Sequence, residues 1–190
     1  MSGSSHIAKV FVAGLFGLLA GCAHAPTTIA PVDHVDLARF MGDWYVIANI
    51  PTRPERDAYN AVESYALRPD GNIQTTFRFR KGGFDAPLKT MRPVGHVRPD
   101  TGNAVWGMQF VWPIKAEYVI VYVDPGYALT IIGRSARDHA WVMARTPTIP
   151  DADYDAALAR LRTLGYSLAD LRKVPQRWPE PSGPRPPIGD

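Results

Sequence analysis

Apolar and polar residues alternate along the middle of the chain, between positions 42 and 145. In residues 105–112 the aromatic and sulfur-containing side chains hold every second position, and residues 73–80 repeat this two-residue period. Such a period is typical of a β-strand with one buried and one solvated face. Turn sequences rich in Pro, Asp, Gly and Asn separate the runs, most clearly at 69–72, 99–103 and 124–126. The pattern predicts a meander of antiparallel strands.

The predicted meander is long enough to close on itself. We predict eight strands, at 43–50, 59–68, 72–80, 88–98, 103–112, 117–124, 127–133 and 139–145. About eight antiparallel strands form a barrel whose interior holds one small ligand. The predicted fold class is therefore all-β, an eight-stranded antiparallel up-and-down β-barrel.

One helix is predicted after the strands. Pro150 and the acidic residues that follow it suit the positive end of a helix dipole. Apolar residues then recur at helical spacing up to Gly165, namely Tyr154, Leu158, Leu161 and Leu164. This stripe predicts a single C-terminal α-helix that packs on the outside of the barrel.

The start of the chain has the features of an export signal. An uncharged run over residues 10–21 is too short to span a bilayer, which takes about 20 apolar residues. The run ends in Leu-Ala-Gly directly before Cys22, the only cysteine of the chain. This pattern resembles the lipobox of bacterial lipoproteins, in which the cysteine becomes the acylated N-terminus; the alternative is a cysteine placed there by chance. Ala23 in place of Asp implies the outer membrane, on its periplasmic side. We expect a signal peptide at 1–21, a tether at 22–34 and a membrane partner through the lipid anchor.

Length and charge limit the remaining possibilities. Without residues 1–21 the chain has the length of one domain, which we place at 35–176, followed by a proline-rich tail at 177–190 that we expect to be extended. Only Lys9 among the charged residues lies in the signal, so the mature charge is nearly balanced, and the basic residues are scattered. We therefore expect no nucleic-acid partner.

Three short motifs, in order, resemble the lipocalin family. Gly42 and Trp44 match its Gly-x-Trp signature, Asp124 and Tyr127 match its second motif, and Arg145 matches its third. The branch with bacterial outer-membrane lipoproteins and animal apolipoprotein D is the most similar. The resemblance implies that these five residues are structural, with the Arg145 side chain against Trp44. A guanidinium stacked on an indole contributes about 0.5–2 kcal/mol.

The apolar strand faces are the candidate ligand site. They are rich in aromatic and sulfur-containing side chains, which suit a long flexible apolar ligand. The candidate ligand-binding residues are Phe77, Phe79, Trp106, Met108, Phe110, Trp112, Tyr118, Tyr122, Trp141 and Met143. The alternative for each is ordinary packing. On strand 117–124 the sequence leaves open whether Tyr118, Ile120 and Tyr122 or the intervening valines point inward.

Cationic residues in four connections are candidates for binding a head group. The connections at 51–58, 81–87, 113–116 and 134–138 lie at the predicted open end. Their head-group candidates are Arg53, Lys115, Arg134 and Arg137, and Arg56 and Lys81 are also present. Arginines bind phosphate with directional contacts. The alternative is solvated surface charge.

The sequence gives catalysis little support. The single cysteine is assigned to lipidation, and the histidines show no metal-ligand spacing, so we expect no catalytic residue, no metal and no cofactor. The resemblance implies a carrier of a lysophospholipid or fatty acid in the cell envelope. A carrier of haem or pigment, a lipid-modifying enzyme and a purely structural lipoprotein are the alternatives. The oligomeric state stays open.

Overall fold

The computed structural model describes residues 28–180, and the proposed signal peptide and Cys22 lie outside them. Two α-helices and ten strands follow one another, with a 3-10 turn at Arg53–Glu55. Their bounds are α1 Leu37–Phe40, β1 Gly42–Ile50, β2 Ala58–Leu67, β3 Ile73–Lys81, β4 Leu88–Met91, β5 Val94–Val97, β6 Val105–Val111, β7 Ile114–Val123, β8 Leu129–Gly133, β9 Ala140–Ala144, α2 Asp151–Thr163 and β10 Arg172–Lys173.

The strands form a closed antiparallel barrel, as predicted. From β1 to β3 and from β5 to β9 each strand pairs with the next one along the chain, and β9 pairs with β1 from Tyr45↔Ala144 to Ile50↔Ala140. The predicted strand 88–98 is split into β4 and β5, which both pair with β3. Pro93 lies at the break, where its missing N–H removes a donor from the ladder. With β4 and β5 counted as one broken strand, and without the two-residue β10 that pairs only with β1, the barrel has the predicted eight strands.

The single C-terminal helix lies outside the barrel, also as predicted. Helix α2 ends near Gly165, whose φ of +86° suits a helix end. Its Ala157 and Leu161 are buried against the outer cluster, an apolar layer that includes Ile131 and Val142. The outer cluster is separate from the inner cluster, which fills the barrel.

A C-terminal segment lies between β1 and β2 at one end of the barrel. β10 pairs with Ala48 and Asn49 of β1, and the Asn60 N–H of β2 donates to the Pro175 carbonyl. The Gln176 side-chain amide donates to the carbonyls of Val46 and Ala61, at 2.8 and 3.2 Å. The barrel wall is thus completed there by residues that follow α2.

The start of the proline-rich tail differs from the sequence expectation. Residues 177–180 do not extend away from the barrel: Trp178 packs edge-on against Tyr45, with ring centroids 5.1 Å apart. The Arg177 N–H donates to Asn60 Oδ1 at 2.7 Å, and Glu180 forms an ion pair with Arg80 at 3.4 Å. A high proline content therefore does not prevent a segment from docking against the barrel. Residues 181–190 lie outside the described part of the chain.

The last residues of the predicted tether also contact the barrel. The Val35 N–H donates to Gly102, the Val32 N–H to Ile120, and the Ile29 N–H to Ser135 Oγ. Ile29 is buried in the outer cluster. The segment 29–35 therefore runs from the end of the barrel where β8 stops, at residue 29, to the opposite end, where Val35 is buried in the inner cluster.

Candidate functional site

The two ends of the barrel differ. Helix α1 covers the end where β1 begins, and we call this the closed end. The connections at 51–57, 82–87, 112–113 and 134–139 surround the other end, which we call the mouth. A cavity of about 70 Å³ lies inside the mouth. Its lining is mostly apolar and consists of Thr52, Glu55, Glu63, Thr75, Phe77, Pro93, Met108, Phe110, Ala116, Glu117, Tyr118, Arg134 and Trp141.

Aromatic side chains fill the closed half of the barrel and limit the depth of the cavity. The Phe40 ring lies 5.0 Å from Trp44 and 5.6 Å from Trp106, and Trp106 stacks on Tyr118 at 5.1 Å. Trp44, Phe40 and Trp106 are fully buried. A ligand can therefore occupy only the half of the barrel next to the mouth.

Arg145 closes the barrel beneath these rings, as the resemblance implies. Its guanidinium lies 3.8 Å from the centroid of the Trp44 ring. It donates to the carbonyls of Asp43 and Arg39, at 2.8 and 2.7 Å, and to that of Tyr127 at 3.2 Å. Burial lowers the pKa of Arg145, but an arginine keeps its charge at neutral pH. These three hydrogen bonds link α1, the start of β1 and the turn before β8.

The turn at Asp124 and Tyr127 is held by hydrogen bonds within the turn and to the segment before α1. The Asp124 carboxylate accepts from three backbone N–H groups, those of Gly126, Ala128 and Leu129. Tyr127 has a φ of +57°, and its hydroxyl accepts from the Asp36 N–H at 2.8 Å. The turn therefore holds the segment before α1 at the closed end. Gly42, with a φ of +93°, starts β1 in a conformation that favours glycine.

The deepest part of the cavity is polar. The Tyr65 hydroxyl donates to Glu63, and the Tyr118 hydroxyl oxygen lies 2.6 Å from that of Tyr65. Burial raises the pKa of Glu63 to about 7, against the lowering effect of the Tyr65 hydrogen bond. Burial also raises the pKa values of both tyrosines. Thr75 Oγ1 is buried beside them and has no hydrogen-bond partner. Near neutral pH the Glu63 carboxyl is partly neutral, which lowers the cost of placing an apolar group next to it.

A second buried carboxyl organises the wall beneath the first mouth connection. Glu55 Oε2 accepts from Trp141 Nε1 at 3.0 Å, from Asn49 Nδ2 at 3.2 Å and from the Thr52 N–H at 3.3 Å. Burial raises the pKa of Glu55 despite these donors. Three donors to one oxygen fix the Trp141 indole in the cavity wall.

Half of the ten sequence-predicted ligand residues line the cavity: Phe77, Met108, Phe110, Tyr118 and Trp141. Phe79, Trp106 and Met143 also belong to the inner cluster, but they are packed against neighbouring side chains away from the cavity. For these three residues the alternative of ordinary packing describes the structure.

Two of the ten lie outside the barrel interior, and β-bulges explain both. The β7–β8 register shifts between Ile120 and Tyr122, so Tyr118 and Ile120 face inward whereas Tyr122 belongs to the outer cluster under the guanidinium of Arg160. The β6–β7 register shifts after Met108, and Trp112 is 83% exposed at the tip of the hairpin. The two-residue period of residues 105–112 had predicted that Trp106 and Trp112 both face the interior.

The head-group candidates are not gathered into one site. Arg134 lines the cavity, and its Nη1 lies 3.1 Å from Asp138 while its Nε has no partner. Arg53 is exposed on the 3-10 turn. Lys115 lies on the outer face against Gly107. Arg137 donates to the Leu164 and Ser135 carbonyls, so it holds the end of α2 instead of facing the mouth.

The buried carboxyls were missed by the sequence reasoning. Glu63 lies two positions before Tyr65 in β2, and this spacing was the available signal that both face inward. Glu55 had no such signal, because it lies in a 3-10 turn. Within residues 28–180 no cluster of three or more His, Cys, Asp or Glu residues is arranged to hold a metal ion. Among those residues, no helix is both long and apolar enough to cross a membrane.

Comparison with known proteins gives a consistent family assignment. The family model of the lipocalin-like domain matches residues 35–176. Temperature-induced lipocalin-1 of Arabidopsis thaliana is 27% identical over 156 residues, covering 76% of this chain and 81% of that protein. The outer membrane lipoprotein Blc of Citrobacter freundii is 28% identical over 151 residues, covering 80% and 85%. The solved structure of insecticyanin from Manduca sexta superimposes with a TM-score of 0.61 at 16% identity, covering 77% of this chain and 83% of that one. At this identity the likeness supports the fold alone.

Proposed function

The chain belongs to the lipocalin family, and from this premise we propose that its barrel stores or transports an acyl-chain ligand, a lysophospholipid or a fatty acid, in a bacterial envelope. The family binds hydrophobic ligands, and its members are generally binding or carrier proteins. The observation that carries the proposal is the apolar cavity that opens at the mouth next to Arg134.

The cavity supports one end of an acyl chain as the occupant. Phe77, Met108 and Trp141 provide apolar walls, and each buried CH₂ contributes about 0.8 kcal/mol. A volume of about 70 Å³ holds only part of a long chain, so the rest would leave through the mouth past the half-exposed ring of Phe110. The Arg134 guanidinium lines the same cavity and would supply charge-assisted hydrogen-bond donors to a phosphate or carboxylate at the rim.

We further propose that Cys22 carries the lipid that anchors the protein to the periplasmic side of the outer membrane. The support is the lipobox pattern and the similarity to Blc, a protein named as an outer membrane lipoprotein. Several acyl chains on one cysteine would give a stable anchor, whereas a single chain gives a marginal one.

Native mass spectrometry with lipid extraction of the mature protein tests both proposals. We expect a mass that begins at Cys22 with added acyl groups and a separately extractable acyl lipid. The Cys22→Ser chain should retain its signal peptide and lack the covalent acyl mass. A barrel that carries no lipid, or one with an absorbing pigment, would contradict the ligand assignment. An unmodified Cys22 would contradict the anchor.

A further inference from the structure

Large apolar side chains are exposed on one hairpin at the mouth. We call residues 110–114, at the β6–β7 turn, the mouth hairpin. Its four exposed side chains are Phe110, Val111, Trp112 and Ile114, with exposed fractions of 53, 69, 83 and 70%. Within residues 28–180 only two other large apolar residues are exposed: Leu88, at the mouth end of β4, and Leu67, at the closed end.

This exposure is not required by the fold. The Trp112 and Ile114 side chains belong to neither the inner nor the outer cluster. Contiguous exposed apolar residues mark a surface that contacts a protein or a membrane. Phe110 belongs to the hairpin and also lines the cavity, so whatever covers the hairpin also lies at the cavity entrance.

The course of the N-terminal segment indicates which surface this is. Residue 29 lies at the mouth, bonded to Ser135, whereas residue 35 lies at the closed end, bonded to Gly102. The described chain therefore begins at the mouth. Cys22 is seven residues upstream of residue 29, and seven extended residues span at most about 25 Å. An anchor at Cys22 would therefore keep residue 29, at the mouth, within about 25 Å of the anchored lipid.

The charge around the mouth also favours a lipid surface. The exposed charged residues in and beside the four mouth connections include four basic ones, Arg53, Arg56, Lys81 and Lys115, and three acidic ones, Asp57, Asp85 and Asp138. Lys115 directly follows Ile114 at the hairpin tip and is exposed. Basic residues near a membrane are attracted to anionic lipids, and tryptophan is enriched at the membrane interface.

We propose that the mouth hairpin inserts into the surface of the membrane that holds the anchor, with the barrel mouth facing the lipid. The ligand would then pass between membrane and cavity along Phe110 without crossing water. The orientation rests on the proposed anchor at Cys22, whereas the apolar hairpin is a feature of the described residues themselves.

Fluorescence quenching by brominated lipids tests the contact. The purified full-length lipoprotein is reconstituted in phosphatidylethanolamine and phosphatidylglycerol vesicles, with and without bromine on the acyl chains. The difference between wild type and Trp112→Phe isolates the emission of Trp112. We expect bromine to quench Trp112 at least about twofold, because an inserted tryptophan lies near the acyl chains. Equal quenching in the two proteins would overturn the proposal.

A transfer experiment provides the matched control. We expect Trp112→Ser/Ile114→Ser to slow the uptake of lysophospholipid from these vesicles about tenfold, with unchanged affinity for monomeric lysophospholipid in water. Leu67→Ser, a similarly exposed position at the closed end, should alter neither. Equal loss of uptake and affinity would assign the hairpin to the binding site instead of the membrane. Dimerisation that the double variant abolishes, with Trp112 unquenched, would assign it to a second copy.

The acyl mass of Cys22 and the bound lipid are measured on the same preparation. Missing acyl mass would remove the anchor and with it the proposed orientation. A barrel without lipid would contradict the carrier proposal alone. An acylated, lipid-loaded protein with an unquenched Trp112 would overturn only the hairpin contact.

Discussion

Glu63 is the residue inside the barrel whose ionisation has a direct effect on stability. Its pKa is raised by burial from 4.5 to about 7, so the folded chain retains a proton that the unfolded chain has already released between these values. The unfolded state then binds fewer protons, and stability falls as pH rises through this window. The contribution of protonated Glu63 to stability is complete below the pKa of Glu63 in the unfolded state. It is lost above the pKa of Glu63 in the folded state.

We predict that Glu63→Gln makes the barrel less sensitive to pH between about pH 5 and about pH 8. The glutamine carbonyl still accepts the Tyr65 hydroxyl, but no charge has to be buried. Relative to wild type, the variant should gain up to about 3 kcal/mol across this range. Urea unfolding at several pH values measures the gain. A difference in stability that stays constant with pH would contradict the raised pKa of Glu63.

Phe110 and Trp106 share a strand and a predicted face but should differ in their effect on binding. Trp106 is fully buried in the closed half, so Trp106→Ala should cost about 3–5 kcal/mol of stability. Phe110 is half-exposed at the cavity entrance, so Phe110→Ala should cost under about 1 kcal/mol and weaken lysophospholipid binding about tenfold. Paired lipid titration and thermal melting test this. If affinity falls only in step with stability in both variants, Phe110 is ordinary core.

Among the elements, the C-terminal segment is part of the barrel although its sequence gives only a weak signal of this. Gln176 bridges β1 and β2, and its Oε1 accepts from Trp178 Nε1 at 2.7 Å. Asn60 has a φ of +45° at a bulge in β2 and bonds to Arg177 through both ends of its amide. The position of Gln176 thus depends on residues that follow it.

We predict that a chain ending at Gln176 is less stable than wild type by about 2–3 kcal/mol, because Trp178, Arg177 and Glu180 lose their contacts. A chain ending at Glu180 is the matched control, since it retains every described contact of the segment and should melt like wild type. Equal melting temperatures for both truncations would show that residues 177–180 contribute nothing.

For the molecule as a whole, a ligand that binds the folded barrel and not the unfolded chain must stabilise the folded state. A lysophospholipid at 100 times its dissociation constant adds about 2.7 kcal/mol. For a domain of this size we predict a rise in Tm of about 5–10 °C. Glycerophosphoethanolamine, which has the head group without an acyl chain, is the control and should cause little change. Equal shifts with both compounds would contradict an acyl-chain site.

The eight strands, the turns between them and the external helix could be predicted from the sequence, and the contact between Trp44 and Arg145 was implied by the family resemblance. These features depend on local periodicity, turn chemistry and short motifs, which are all legible along one chain. The sequence also indicated that apolar strand faces would line a ligand cavity. Five of the ten predicted ligand-binding residues line the cavity.

Which side chains reach that cavity depends on tertiary contacts and could not be read from the sequence pattern. Bulges in β6 and β7 turn Tyr122 and Trp112 away from the interior, and such register shifts depend on the neighbouring strands and on closure of the barrel. The burial of Glu63, which raises its pKa, likewise requires the opposite wall to bring Tyr118 close. The docking of residues 177–180 depends on a gap between β1 and β2. Each of these features comes from residues far apart in the chain, so no local pattern contains it.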